Sequence, residues 1–369
     1  MKRTTTWVCA CIAVSLVALC TQTVASKSLH KKVNAAPPHS RRTGEVFDAL
    51  QDNVWYLPVA GGKARLYVTS LGRGSDVVVL HGGPGNDFNY LVDALTGEAA
   101  RHRFVLYDQR GSLLSPVLES EIKTLTAAAM VKDLDTLRIA LGKKKLFLFG
   151  HSWGSLLAML YYQAHPEHVA GMILAGSLPP RTPPGKSFVD LLGPMRSRQR
   201  ALRERPKVHE VLDAAGLGSK AETGPLSAQQ KSWKARIRGL AAVNLYHVER
   251  WRKMQGGGVY YNEAVDTAIG DSLPDKWNLQ ATLKKHPVPI TIIQGDHDYV
   301  DPSAKSWLPL EASGQVRIDV IPGAGHYSWI DNPEAFARDF RTALSRMGAG
   351  ATSPRRYGGA IAPKECNGN

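Results

Sequence analysis

A chain of 369 residues with 43% hydrophobic and 21% charged side chains is long enough for one large domain, or for one domain carrying an insertion. Its composition is that of a globular protein, not of a disordered or fibrous one. Lys and Arg total 46 against 32 Asp and Glu, a formal net charge of +14, but no nucleic-acid-binding motif accompanies the excess, so it points to solubility or anionic polymers and nucleic acid is not expected as a partner.

The chain opens with residues 1–25, MKRTTTWVCACIAVSLVALCTQTVA, which join Lys2 and Arg3 to an apolar run and end in small residues. That is the anatomy of a signal peptide cleaved after Ala25. The run from Trp7 to Leu19 is short for a membrane span of roughly 20 residues. Export to the periplasm or medium is expected, with no stable membrane insertion after cleavage. Cys9, Cys11 and Cys20 lie in this segment, so cleavage leaves Cys366 alone and no intramolecular disulfide. No Cys/His cluster has zinc-ligand spacing. Residues 26–45 read as a flexible basic leader and residues 349–369 as a flexible tail.

Between these ends, apolar runs alternate with helical patterns. VWYLPV and ARLYVTSLG, around Gly61 and Gly62, form an expected hairpin. DVVVLHGGPG, RFVLYDQRG, KLFLFG, VAGMILAGS, PITIIQGD and VRIDVIPG read as buried strands. AAAMVKDLDTLRIALG and SLLAMLYYQAHP read as helices, and NPEAFARDFRTALSRM as a last helix with Asn332 at the N-cap and Pro333 behind it. Fully apolar strands alternating with helices predict an α/β fold, a mostly parallel twisted sheet with helices on both faces. The alternation breaks once. The core is therefore expected over 46–178 and 287–348, with an inserted helical cap over 179–286.

Gly150-His151-Ser152-Trp153-Gly154 fits G-x-S-x-G between a strand and a helix, where the turn is too sharp for side chains at the glycines. Ser152 is then the candidate nucleophile, and the amide of Trp153 points at the reacting carbonyl. A serine hydroxyl needs a base. In this arrangement an acid and then a histidine follow at later strand ends. VRIDVIPG leads into AGHYSW, which supplies His326; PITIIQG leads into DHDYVDP, which supplies Asp296, Asp298 and Asp301. Asp298 is the chosen acid because it leaves room for the chain to turn over the strand end. Asp296 is the alternative, and Asp301 is assigned to capping the next helix. HGGPG, residues 81–85, offers a second oxyanion donor at the Gly83 amide. No cofactor is implied, since acyl transfer by this route needs neither metal nor nucleotide.

HGGPG, DQRGSLLS at 108–115, GHSWGSLLAMLYYQAHPEHV, GDHD and GAGH resemble the α/β-hydrolase fold, and most of all its proline iminopeptidase branch of serine aminopeptidases. The resemblance covers 46–178 and 287–346. It implies a Ser152, Asp298, His326 triad with Gly83 and Trp153 at the oxyanion hole, and a small peptide as substrate. The chain departs from that branch at Leu113, at His151 where a glycine is usual, and at Ala175 where an arginine is usual. The branch holds the substrate amine with cap glutamates beside tryptophans, for which LYHVERW offers Glu249.

RSRQRALRERPK, residues 196–207, is expected to be a solvated helix face. Trp233, Trp251 and Trp277 are expected to pack the cap. The leading reading is an exported aminopeptidase; the alternatives are an ester, thioester or lactone hydrolase using the same triad, and a binding protein on an inactive scaffold.

Overall fold

The computed structural model describes residues 49–218, 226–254 and 261–348. The expected signal peptide, basic leader, Cys366 and C-terminal tail lie outside these residues. The expected hairpin is present: β1 (Trp55–Val59) pairs antiparallel with β2 (Ala64–Gly72) across a turn through Gly61 and Gly62. Six further strands follow: β3 (Ser75–Leu80), β4 (His102–Tyr107), β5 (Leu146–His151), β6 (Val169–Ala175), β7 (Ile290–Gly295) and β8 (Arg317–Ile321). They form one sheet in the order β1-β2-β4-β3-β5-β6-β7-β8, parallel throughout from β4 to β8.

Helices α1 (Ala127–Ala140) and α2 (Trp153–Ala164) precede β6. Among the described residues between β6 and β7, five helices of seven residues or longer follow: α3 (Phe188–Arg203), α4 (Pro206–Ala214), α5 (Ala228–Ala235), α6 (Glu263–Asp271) and α7 (Leu279–Lys285). The chain closes with α8 (Pro333–Arg346), whose first turn is capped by the Asn332 side chain. Between β6 and β7 the extended pairing among the described residues is one bridge, Arg181 to Asn278.

The strands are apolar on both faces because each face has its own core. Val78, Leu80, Leu148 and Leu174 join Leu134 and Leu156 of the α1–α2 side. Their neighbours Val77, Val79, Phe149 and Ile173 join Phe336 and Phe340 of α8 on the other. The period of two along a strand thus feeds two cores, the signature of a sheet covered on both sides.

Side-chain to main-chain hydrogen bonds tie the helical insertion to the loop after β7 and hold it together, and here the expectation of a solvated arginine face is corrected for Arg198 and Arg205. Arg198 donates from Nε to Tyr299 O at 2.6 Å and from Nη2 to Val300 O at 2.8 Å. Arg205 donates to the carbonyls of Ala242, Leu245 and Tyr246 at 2.9, 2.7 and 3.0 Å. A guanidinium is a fixed fork of donors, suited to carbonyls that no helix or strand satisfies. Asp331 in turn accepts from the amides of Tyr246, His247 and Gly325 at 2.7, 2.9 and 2.8 Å. Trp251 and Trp277 are buried, and Trp277 Nε1 donates to Pro179 O at 2.9 Å, so both act in packing. Among the described residues no helix is long and apolar enough to cross a membrane.

Asp266 on α6 is buried, with the Tyr261 side chain as a hydrogen-bonding neighbour. Burial pushes its pKa up to about 7, which Tyr261 and Arg196 oppose only in part. The folded chain therefore holds this proton more tightly than the unfolded chain, whose carboxyl titrates near the ordinary 3.8. The stability it contributes is complete below the unfolded value and is lost as pH rises through the folded one. Asp266→Asn should remove that slope, so its stability relative to the parent improves by on the order of 4 kcal/mol between about pH 4 and pH 8. Urea unfolding at the two pH values checks it; an equal offset at both would count against the assignment.

Candidate active site

The turn that bears Ser152 is built by close approach. A Cβ on Gly154 would run into the carbonyl of Leu80 on β3, and one on Gly150 into the carbonyl of Gly154. With both positions bare, α2 starts directly above the end of β5, and Ser152 is forced to φ 54 and ψ −122. That backbone costs an L-residue about 1–3 kcal/mol. The Ser152 amide donates to Ala175 O at 3.0 Å, anchoring the turn to β6.

His326 and Asp298 meet behind this turn. His326 Nδ1 stands 3.0 and 2.9 Å from the two oxygens of Asp298, and their side chains are 2% and 0% exposed. A carboxylate there only accepts, so Nδ1 carries a proton, and in the neutral ring Nε2 holds the lone pair. Asp298 is itself oriented by the Val300 amide at 2.8 Å. Gly176 makes room for the ring, since a Cβ there would lie 2.7 Å from His326 Cε1 and 3.0 Å from His151 Nε2. The two other candidate acids are employed elsewhere. Asp296 accepts from the amides of Gly323 and Ala324, both at 3.0 Å, and pairs with His297 at 2.6 Å. Asp301 accepts from the Ser306 amide at 3.1 Å in the turn Pro302–Trp307.

Ser152 and His326 line one cleft beneath the helical insertion, with Gly83 and residues of α3 and the segment after α5. It has two lobes. One presents Asn86, Tyr90, His151, Gln199 and Asn244. The other presents Leu178, Phe188, Leu192, Met195 and Val300, together with Arg196. Gly83, Ser152 and Gln199 border both. Trp153 is the first residue of α2, where an N–H has no acceptor within the helix and faces the positive end of its dipole.

The loop bearing Gly83 is tied to the turn through the DQRG segment. Gln109 donates from Nε2 to His81 O at 2.9 Å and accepts from Trp153 Nε1 at 2.7 Å. Asp108 accepts from the amides of Leu114 at 2.8 Å and Phe88 at 3.3 Å, while burial pushes its pKa up to about 7. Arg110 forms an ion pair with buried Asp133, Nε to Oδ2 at 2.9 Å.

Glu249 is not brought to the cleft. Its side chain is 46% exposed and pairs with His247 Nδ1 at 3.1 Å. LYHVERW turns its backbone amides toward Asp331, which leaves that carboxylate outside, and no carboxylate lines either lobe among the described residues. The sequence reading also missed Tyr90, Gln199 and Asn244 as cleft residues, because nothing in their local spacing marks them. His151 carried a signal: a large ring directly before the nucleophile.

Residues 77–333 match the family model of the alpha/beta hydrolase fold. A proline iminopeptidase of Xylella fastidiosa is 28% identical over 287 residues, 71% of this chain and 87% of that protein. One of Lactobacillus helveticus is 27% identical, over 70% of this chain and 86% of that protein. Among solved structures, a proline iminopeptidase-related protein of Thermus thermophilus is 25% identical with a TM-score of 0.53, over 80% of this chain and 99% of the other. An esterase of Thermogutta terrifontis shares the fold at 20% identity with a TM-score of 0.56, over 80% and 99%. Sheet order, the sharp turn at Ser152 and the family match agree, and the chain belongs to the alpha/beta hydrolase fold family.

Proposed function

We propose that this hydrolase is an exported serine enzyme that forms an acyl-enzyme on Ser152 and releases an N-terminal residue from small peptides. The observation that carries the chemistry is the buried Asp298–His326 pair opening on the same cleft as the strained Ser152. Ser152 Oγ attacks the carbonyl carbon and its proton passes to His326 Nε2. The Gly83 and Trp153 amides take the negative charge that develops on the carbonyl oxygen. Collapse of the tetrahedral adduct breaks the bond to the leaving amine, which takes the proton from His326. Water then repeats the sequence on the acyl-enzyme and frees the acid. The apolar lobe suits the side chain of the acyl residue, a prolyl ring included, and the proline iminopeptidase relatives support that class.

One observation favours a second reading. A free ammonium group ordinarily seeks a carboxylate, and none lines the cleft among the described residues. An ester, thioester or lactone would need none. The test compares prolyl, alanyl and N-blocked prolyl p-nitroanilides with short-chain p-nitrophenyl esters. The peptidase reading expects the free-amine prolyl substrate to have the highest kcat/KM among the amides, and blocking the amine to cost at least about tenfold, or 1.4 kcal/mol. Indifference to blocking, with esters turned over and amides left intact, would replace it by the second reading. Export rests on the N-terminal residues, and sequencing of the mature protein is expected to begin at Ser26.

A further inference from the structure

His151 occupies the centre of a chain of hydrogen bonds in which every proton can be assigned. Its Nε2 lies 3.2 Å from the carbonyl oxygen of His326. A carbonyl only accepts, so Nε2 carries the hydrogen. The ring is buried among Tyr90, His326, Tyr327 and Trp329. Burial, and then the neighbouring His326 imidazole, hold its pKa well below the ordinary 6.5, so it stays neutral. A neutral ring protonated at Nε2 has a lone pair at Nδ1, where the Tyr90 hydroxyl stands at 2.7 Å and must donate. The Tyr90 oxygen then accepts from the Gly82 amide, also at 2.7 Å.

The direction is therefore single: Gly82 N–H to Tyr90 O–H, to His151 Nδ1, and from His151 Nε2–H to the His326 carbonyl. Each end and the middle adjoin a part of the proposed reaction. Gly82 precedes the oxyanion donor Gly83, His151 precedes Ser152, and the far end is the backbone of the base itself. The packing is tight as well as directional. A Cβ on Gly82 would lie 2.8 Å from both Ser152 Cβ and Tyr90 Oη, and 3.1 Å from His151 Nδ1.

We infer that Tyr90 and His151 are positioning residues, which hold the oxyanion loop, the nucleophile and the general base in one register through this directed chain. The inference rests on the Ser152 hydrolase reading. It also accounts for a histidine that does not compete for the catalytic proton. The two imidazoles are 4.5 Å apart, centre to centre, so once His326 is an imidazolium a second charge beside it is strongly disfavoured. Removing the Tyr90 hydroxyl takes the acceptor from the Gly82 amide and the donor from His151 Nδ1, and removing the His151 ring takes the acceptor from the Tyr90 hydroxyl and the donor from the His326 carbonyl, so both changes break the Tyr90–His151 link.

The test measures kcat, KM and thermal unfolding for Tyr90→Phe, His151→Ala, the double variant and His151→Gln, on the best substrate of the panel above. Each single variant is expected to lower kcat by about 10- to 100-fold with KM within about threefold, the scale of a misplacement of 1 Å or less. The double variant should lose no more than about threefold beyond the worse single, since both break the same chain. The glutamine amide has one acceptor and one donor group, and His151→Gln should recover about tenfold over His151→Ala. Singles that turn over at the parental rate, or losses that multiply in the double variant, overturn the inference. A fluorophosphonate probe separates the two claims. Failure to label Ser152 in the parent sinks the hydrolase reading, whereas parental labelling with unchanged rates in the variants sinks the positioning role alone. Should a variant not fold, nitrogen NMR of the parent decides: His151 must be protonated at Nε2 and bare at Nδ1 at neutral pH, and the opposite tautomer refutes the chain.

Discussion

Ser152→Ala is expected to reduce kcat by about a millionfold, the scale seen when an acyl-transfer nucleophile is removed, with the fold intact. The two serines nearest it in the described residues around the turn are engaged elsewhere. Ser155 donates its hydroxyl to Ser152 O at 2.6 Å, and Ser177 donates its own to Leu178 O at 2.9 Å. The same position makes an opposite prediction for stability. Its φ of 54 suits glycine, so Ser152→Gly should be inactive yet more stable by about 1 kcal/mol, through relief of backbone strain. Chromogenic turnover and thermal unfolding read the two effects separately. An alanine variant with more than about a thousandth of parental kcat would exceed what the oxyanion amides and binding alone supply, and would move the nucleophile elsewhere.

Asp298→Asn should cost about 10⁴-fold in kcat. The Val300 amide retains the asparagine oxygen, which leaves the NH₂ facing His326 Nδ1, where it cannot accept the ring's hydrogen. The ring then favours the tautomer with its proton on Nε2, facing Ser152, where a base needs a lone pair. Asp296→Asn provides the contrast. Asp296 serves the Gly323 and Ala324 amides at the start of the loop that leads to His326, so its loss should lower the unfolding temperature while kcat stays within about tenfold. A reversal, with the larger kcat loss at residue 296, would reassign the acid.

The helical insertion does more than cover the cleft. Arg198 holds the carbonyls of Tyr299 and Val300, directly after Asp298, and Asp331 joins the amides of Tyr246 and His247 to that of Gly325, directly before His326. Asp298 and His326 are thus each linked to the insertion by hydrogen bonds to main-chain groups next to them. Such groups carry no side-chain signature, and so the arginines of 196–207 looked like a solvated run.

What the amino-acid sequence determined alone is the set of features carried by local pattern. Apolar runs of strand length mark a sheet buried on both faces, the glycines around Ser152 mark a turn in which no Cβ fits, and the order of serine, acid and histidine at successive strand ends marks their convergence. These depend on neighbours within a few residues, where sterics and periodicity act directly. Which of three nearby aspartates faces His326, the exclusion of Glu249 from the cleft, the inward turn of Arg198 and Arg205, and the directed chain through Tyr90 and His151 were decided only by the tertiary structure. Each is a hydrogen bond or an exclusion between segments far apart in the chain. A hydrogen bond depends on distances of a few tenths of an ångström and on which partner has a proton to give, and residue identity alone does not encode either.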